Sequence, residues 1–529
     1  MNPSTRRSVD RLHHPLLVLA PLGIEARAVR AGLAGRRAAS REVLDGAPAS
    51  PTPVVRTGMG PRRAARAAED AKAIPAGAVA IAGFCGALDH RFEPGRVIVA
   101  TEVRGPAGTR ACPSAPLLAA AVERLGVPVA LGPIVSIDRP AGGGRRERLG
   151  GTGAVAVDME SAWLAEAAGD RPLAVLRAVV DTPERELSNP LATATGGMRA
   201  YRSLRAAAPA LEAWSRAVRP RRVLLAGPRS FCAGVERAIE IVERALQRHG
   251  PPVYVRKQIV HNVHVVRDLE ARGAVFVESV DQVPDGSLVV FSAHGVSPEV
   301  RDGARARDLR VIDATCPLVT KVHSEARRFS RAGYTIFLVG HRGHEEVEGT
   351  TGEAPDSIRV IDGAAGATDP ASLRVEDPRK VAYLTQTTLA VDEVSETVGR
   401  LRERYPDLVG PGSDDVCYAT QNRQDAVKVL AGECDLLLVI GSDNSSNSRR
   451  LVEVSEKQGC PAHLIDDETD VDLRWLADAA VVGVTAGASA PEVLVERVVS
   501  AIAGLGPAEV EERHLMAESV RFTLPADLR

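Results

Sequence analysis

The sequence predicts an α/β protein made of two unlike halves, and three observations predict it. Short Val/Leu/Ile-rich runs alternate with amphipathic helical stretches along the whole chain, the pattern of parallel strands joined by helical crossovers. The composition breaks once, near 215–222, where a helical stretch over 204–218 ends in Arg219-Pro220-Arg221-Arg222 before a new apolar run. Beyond that break the chain looks loosely threefold, with strands running into small polar turns at Gly227, Ser292, Gly340 and Gly441.

Taken in order, residues 1–14 carry arginines but lead only into the short apolar run 16–20, closed by Pro21. That is a strand, too short for a signal peptide or a membrane span. The division that follows is 1–215 for a first domain, 216–222 for a linker and 223–529 for a second domain. In the second domain, continuous apolar strands are expected at 223–226, 287–291, 310–313, 335–339 and 436–440, giving parallel sheets buried on both faces. With 529 residues the chain is too long for one core, and three or four compact units are expected. The formal net charge of -2 gives no electrostatic argument for nucleic acid or a membrane surface. Seven cysteines in a long chain of this kind argue for reduced thiols or metal ligands in a cytoplasmic protein rather than a disulfide framework.

Three of those cysteines sit in turns with Gly, Ala or Pro neighbours: Phe231-Cys232-Ala233-Gly234, Ala314-Thr315-Cys316-Pro317 and Val416-Cys417-Tyr418-Ala419. Each lies near the passage from a strand to a helix, which predicts three sub-units converging on one iron–sulfur cluster. Three thiolates leave one iron of a four-iron cluster without a protein ligand, and an open metal position is where substrate chemistry occurs. Two other readings compete. The cysteines are small buried hydrophobes, or they form a closed structural zinc site with one histidine; the chain contains none of the Cys-x-x-Cys knuckles such sites draw on. Cys85, Cys112, Cys434 and Cys460 are read as inert thiols.

These turns occur among further motifs: Val260-His261-Asn262, Ser292-Ala293-His294-Gly295-Val296, Asp313-Ala314-Thr315-Cys316-Pro317, 344–349, Thr385-Gln386-Thr387-Thr388, Ser445-Ser446-Asn447 and 485–491. In this order, residues 223–529 resemble the hydroxymethylbutenyl diphosphate reductases, the iron–sulfur enzymes that end the non-mevalonate isoprenoid pathway. The resemblance implies three α/β units in a pseudo-threefold arrangement around a central 4Fe-4S cluster held by Cys232, Cys316 and Cys417. It implies a two-electron reductive dehydroxylation of an allylic diphosphate to isopentenyl and dimethylallyl diphosphates, with a ferredoxin or flavodoxin as electron donor. The anion pocket would consist of His261, His294, His344, Ser445, Ser446, Asn447 and Ser489. Histidines, hydroxyls and backbone amides would carry most of the phosphate recognition, since few Lys or Arg stand inside the motifs. Residue types alone do not choose an acid among Glu345, Glu346 and Glu348; the resemblance selects Glu346, with the Thr387 hydroxyl lining the pocket beside it.

The first half carries its own set: Pro21-Leu22-Gly23-Ile24-Glu25-Ala26, Thr57-Gly58-Met59-Gly60-Pro61, Ala82-Gly83-Phe84-Cys85-Gly86-Ala87-Leu88, Val157-Asp158-Met159-Glu160-Ser161 and Arg177-Ala178-Val179-Val180-Asp181. It resembles the nucleoside phosphorylase and nucleosidase superfamily, in particular the phosphorylase-like enzymes associated with hopanoid synthesis. The resemblance implies that Met159 and Glu160 grip the ribose hydroxyls and that Asp181 protonates a purine leaving group. Glu25 matches the carboxylate that activates water in hydrolytic members, while Gly58 and Gly60 fit a phosphate-cradling loop equally well, so water and phosphate remain alternative nucleophiles. The Gly- and Arg-rich stretch 140–147 departs from the pattern, and a degenerate assembly domain is the competing reading of this half.

Overall fold

The computed structural model describes residues 14–39, 52–185, 190–362 and 375–529; the leader expectation for residues 1–13 falls outside them. By its contacts the chain divides into two compact units. The first comprises Met1–Val223 with Asp467–Val482 and Glu496–Val510, the second Leu224–Asp466 with Gly483–Val495 and Glu511–Arg529.

The first unit holds one mixed sheet. Its strands are β1 (His14–Ala20), β2 (Val54–Arg56), β3 (Ala76–Ala87), β4 (Val97–Gly105), β5 (Gly108–Ala111), β6 (Val129–Ser136), β7 (Ala156–Asp158) and β8 (Leu173–Asp181). The order is β2-β1-β3-β7-β6-β4-β5, and β8 pairs with both β3 and β4. Strands β3, β7, β6, β4 and β8 therefore close a ring of pairings, which removes their free edges. The expected all-parallel sheet is corrected here: β3–β7, β4–β8 and β4–β5 pair antiparallel. A hairpin and a ring closure demand reversals that apolar strand composition does not encode.

The stretch expected to be helical over 204–218 is the end of a longer helix, Pro190–Arg216, which runs through Pro209. Local sequence hides its first half, but burial secures the rest. Trp214 is fully buried and its indole donates to Ser114 Oγ at 3.0 Å.

Beyond that helix, β9 (Arg221–Gly227) begins the second half. A four-stranded sheet contains β10 (Val253–Arg256), β11 (Ala274–Val277), β12 (Leu288–Phe291) and β13 (Arg310–Asp313), in the order β11-β10-β12-β13. A three-stranded sheet contains β14 (Thr335–Val339), β15 (Ile358–Ile361) and β16 (Val381–Thr385), in the order β15-β14-β16. The last sheet joins β9 to β17 (Leu436–Ile440), β18 (Ala462–Ile465), β19 (Val481–Ala486) and β20 (Ala508–His514), in the order β18-β17-β19-β9-β20. Every residue of β12 and β17 is buried, as continuous apolar runs require of central parallel strands.

The chain passes from one sheet to the next at each of the three cysteines. Cys232 lies between β9 and β10, Cys316 between β13 and β14, and Cys417 between β16 and β17. Cys417 differs from the expected strand-to-helix turn, because the helix Val391–Arg404 and an extended segment separate it from β16. In that segment Val409 bridges to Ala382 and keeps the excursion against the sheet.

Candidate active site

Each of the three cysteines is the N-cap of a helix: Cys232 of Ala233–His249, Cys316 of Pro317–Arg331 and Cys417 of Tyr418–Ala431. Free amides at a helix start favour a thiolate. All three line one cavity of about 110 Å³. Burial pushes the Cys316 thiol up to about 11, with the Leu318 and Val319 amides acting against it, and pushes Cys417 up to about 12. Thiols buried in this way bind metal by giving up their protons. Gly234 leaves space beside them: a Cβ there would stand 2.8 Å from Cys316 Sγ and 3.8 Å from Cys232 Sγ. Convergent thiols, helix amides and a wall kept free of side-chain bulk fit a thiolate-held metal cluster.

Sequence motifs alone missed a ring of cations behind the cysteines. Arg237, on the Cys232 helix, donates to the carbonyls of Ala314 and Thr315, both at 3.2 Å, just before Cys316. Lys321, on the Cys316 helix, donates to Ser413 O at 2.6 Å and Asp414 O at 3.0 Å, just before Cys417. Arg423, on the Cys417 helix and fully buried, donates to Ser230 O at 2.7 Å and Phe231 O at 3.4 Å, just before Cys232. Each cysteine's helix thus ties down the turn that carries the next cysteine, and the third closes the circle. The signal was present as a cation one and a half turns after each cysteine. An Arg423→Met variant should alkylate Cys232 and Cys417 about tenfold faster or more in cluster-free protein, because the stranded carbonyls cost about 1–3 kcal/mol each. A Lys428→Met variant, which loses a partly exposed lysine, should leave labelling unchanged. Timed iodoacetamide labelling with peptide mass spectrometry reads both, and equal rates would refute the staple.

Three histidines line the same cavity with their rings against one another. The His261 and His294 rings lie 4.0 Å apart at 18°, and the His344 ring stands edge-on to both at 5.6 and 5.9 Å. Burial, reinforced by the neighbouring imidazoles, lowers His261 to about 2 and His344 to about 3, so both rings are neutral at pH 7. In the same cavity, Ser445 caps the helix Ser446–Lys457, whose first turn presents Ser446 and Asn447 to it, a favourable end for an anion. Ser445 Oγ and Ser489 Oγ lie 3.4 Å apart, and Ser489 Oγ donates to His261 O at 2.9 Å. Asn447 Oδ1 accepts from Ala488 N at 3.0 Å, which fixes the amide and directs its nitrogen toward Thr420 Oγ1 at 3.4 Å.

The three neighbouring carboxylates are sorted by the fold. Glu348 is exposed and pairs with Lys257 at 3.2 Å, and Glu345 faces His294 Nδ1 at 3.4 Å. Burial alone would raise Glu345, but the His294 imidazole beside it holds it below the usual carboxylate range. Glu346 is 2% exposed, and Thr387 donates to it twice, from its amide at 2.7 Å and its hydroxyl at 3.0 Å. Burial outweighs those two bonds and raises Glu346 to about 7. Glu346 and Thr387 line the cavity together with the cysteines and histidines. His261, His294 and Glu345 also bring one ligand atom each within 4.8 Å of one another, a spacing open to a cation.

A second cavity, of about 250 Å³, lies in the first unit and collects Glu25, Met159, Glu160 and Asp181. Glu25 accepts from the Leu22 amide at 2.5 Å and the Phe84 amide at 2.7 Å, and burial raises it to about 7. Glu160 accepts from Gly60 N at 2.9 Å. Two buried arginines complete the wall region. Arg177 pairs with Asp158 at 2.8 Å, and Arg146, from the Gly- and Arg-rich stretch, pairs with Asp181. Gly86 makes room for the second pair: a Cβ there would come within 2.5 Å of Arg146 Nη2 and 2.9 Å of Asp181 Oδ1. Among the described residues no helix is long and apolar enough to cross a membrane.

Comparison with known proteins matches the two halves of the sequence to different families. The family model described as LytB protein matches residues 223–503, and that described as Phosphorylase superfamily matches 48–208. A 4-hydroxy-3-methylbut-2-enyl diphosphate reductase of Mycolicibacterium paratuberculosis is 58% identical over 310 residues, 58% of this chain and 92% of the relative. The reductase of the same name from Acidothermus cellulolyticus is 59% identical over 310 residues, 58% of this chain and 90% of the relative. The solved structure of the E-1-hydroxy-2-methyl-but-2-enyl-4-diphosphate reductase from Plasmodium falciparum superposes with a TM-score of 0.56 at 36% identity, covering 59% of this chain and 97% of that one.

Proposed function

The chain belongs to the LytB protein family, and from that premise we propose that it is a 4-hydroxy-3-methylbut-2-enyl diphosphate reductase, an oxidoreductase of the last step of the non-mevalonate isoprenoid pathway. The observation that carries the reading is one cavity lined by three helix-capping cysteines, three histidines and a buried carboxyl. Cys232, Cys316 and Cys417 would hold a 4Fe-4S cluster. Bound there, such a cluster supplies electrons and a Lewis-acidic iron without a protein ligand, chemistry that no side chain offers.

The chain's own residues do the rest. His261, His294, His344, Ser445, Ser446, Asn447 and Ser489 bind the diphosphate at the start of the helix Ser446–Lys457. Rings that are neutral in the free pocket gain a reason to protonate when that anion arrives beside them. Val235, Val260, Ala293, Leu318 and Val319 give the five-carbon chain an apolar wall that excludes water. Glu346 is the acid. With Glu346 ionised, the Thr387 hydroxyl donates to it; a proton on Glu346 Oε2 reverses that bond and turns the Thr387 hydrogen toward the cavity. The reaction needs two electrons and two protons for each hydroxyl lost as water, and a ferredoxin or flavodoxin is the donor class that suits this demand.

The division at 216–222 is supported by the gap between the two matched regions and by the turn from the helix Pro190–Arg216 to β9. For the first domain we favour a base-releasing nucleoside site over a degenerate assembly domain, because Glu25, Met159, Glu160 and Asp181 share one cavity.

The test of the reductase reading is oxygen-free. Iron-loaded full-length protein with a reduced viologen dye should convert (E)-4-hydroxy-3-methylbut-2-enyl diphosphate to isopentenyl and dimethylallyl diphosphates. Iron-loaded protein that leaves the substrate intact would overturn it, and colourless zinc-loaded protein would support the scaffold reading instead.

A further inference from the structure

We propose that His323 is a positioning residue of the reductase site: its imidazole is the rigid spacer that sets the turn carrying His294 against the helix carrying Glu346, and so fixes how far a bound diphosphate lies from the acid. The inference rests on the reductase reading and deepens it. His323 lies on the Cys316 helix, Pro317–Arg331, is 2% exposed and does not line the cavity. Its Cε1–Nε2 edge packs against two glycines instead. Gly295 directly follows His294 and has φ +82°, a left-handed conformation that glycine adopts without strain. Gly349 follows Glu346 by three residues, so the two share a face of the helix Glu345–Glu353. A Cβ at Gly295 would stand 3.0 Å from His323 Cε1 and 3.2 Å from Nε2. One at Gly349 would stand 3.3 Å from both atoms and 3.5 Å from the carbonyl carbon of Gly295. Ring, turn and helix therefore meet with no slack for a methyl group.

A spacer must keep its orientation as well as its thickness. The His323 ring is held through Nδ1, which donates at 3.0 Å to Glu353 Oε1, at the last residue of the Glu346 helix. Its Nε2 has no hydrogen-bond partner, so no competing bond turns the ring the other way. Arg327, also on the Cys316 helix, holds the same carboxylate at 2.7 Å. Arg301 holds it at 3.1 Å from the helix Pro298–Ala306, which follows the His294 turn. Glu353 thereby gathers the elements that carry Cys316, His294 and Glu346, and His323 is the partner whose ring lies between the last two. The diphosphate contacts of His261, His344 and the serines do not depend on this ring. Its loss should therefore misplace the bound substrate relative to Glu346 more than it weakens binding, and a shift on the order of 1 Å can cost about 100-fold in rate.

The experiment uses iron-loaded full-length protein, (E)-4-hydroxy-3-methylbut-2-enyl diphosphate and a reduced viologen dye without oxygen, with kcat counted per cluster. In His323→Asn the amide nitrogen can still donate to Glu353, but the ring edge is gone. Iron content and KM should stay within about threefold of wild type while kcat falls about tenfold or more. Gly349→Ala should lower kcat in the wild-type background, where its methyl meets the ring, and raise it in His323→Asn, where the methyl fills the vacated space. Loss of stability alone would not produce that reversal of sign. A fall in kcat of less than about tenfold in His323→Asn, or a loss carried by KM or by missing iron, would overturn the role of His323 alone. An effect of Gly349→Ala with the same sign in both backgrounds would do so too. Wild-type protein that leaves the substrate intact would overturn the reductase reading, and this role with it.

Discussion

Cys316→Ser protein, purified without oxygen, should be colourless, hold less than about a tenth of the wild-type iron, and show no reductase activity. The expectation follows from position. Cys316 caps a helix, lines the shared cavity and lies against the gap that Gly234 leaves open. A serine hydroxyl is a far weaker ligand for iron than a thiolate, and no other cysteine lines that cavity beyond Cys232 and Cys417. Cys434 and Cys460 are close to each other at 3.6 Å but belong to the starts of β17 and β18, so they offer no substitute. Iron and sulfide analysis beside the electronic spectrum reads the result. A Cys316→Ser protein that keeps a full complement of iron would remove the cluster from this cavity.

Glu346→Gln should leave iron content and substrate KM within about twofold of wild type while lowering kcat by about 10²–10⁴, the range for loss of a positioned acid. The amide keeps the size of the carboxyl and a partner for Thr387, yet it has no proton to give. In the wild-type protein, burial holds Glu346 near 7, above an ordinary carboxyl. The protonated, active form therefore dominates below pH 7 and is lost above it, so the proton-transfer rate should fall about tenfold per pH unit on the alkaline side. Single-turnover rates measured against pH test both statements. A Glu346→Gln enzyme within tenfold of wild type would move the acid role elsewhere, with Glu345 the next candidate by position.

Local chemistry made much of this readable without a structure. The five apolar runs of the second half become β9, β12, β13, β14 and β17 with ends shifted by at most a few residues, because a strand buried on both faces needs an uninterrupted apolar stretch. The cysteine, histidine and serine motifs carried their own ligand chemistry and stand together in one cavity. Less could be read where structure depends on reversals or long helices. The antiparallel pairings of β7, β5 and β8 and the first half of Pro190–Arg216 left no local periodicity to find.

By itself the sequence determined which groups the protein has to work with: thiols at three turns, a histidine set, a carboxyl run, and two halves of different lineage. Only the tertiary structure decided which of those groups touch. It set Glu346 apart from Glu345 and Glu348 by burying one carboxyl, pairing the second with His294 and leaving the third in solvent. It tied the cysteine turns through Arg237, Lys321 and Arg423, and it gave Asp181 an arginine partner from a stretch that reads as irregular. The physical reason is that charge and hydrogen bonding act over a few ångströms of space, so the order of the chain shows which charged residues follow each cysteine but not which turn, tens to hundreds of residues away, each of them meets.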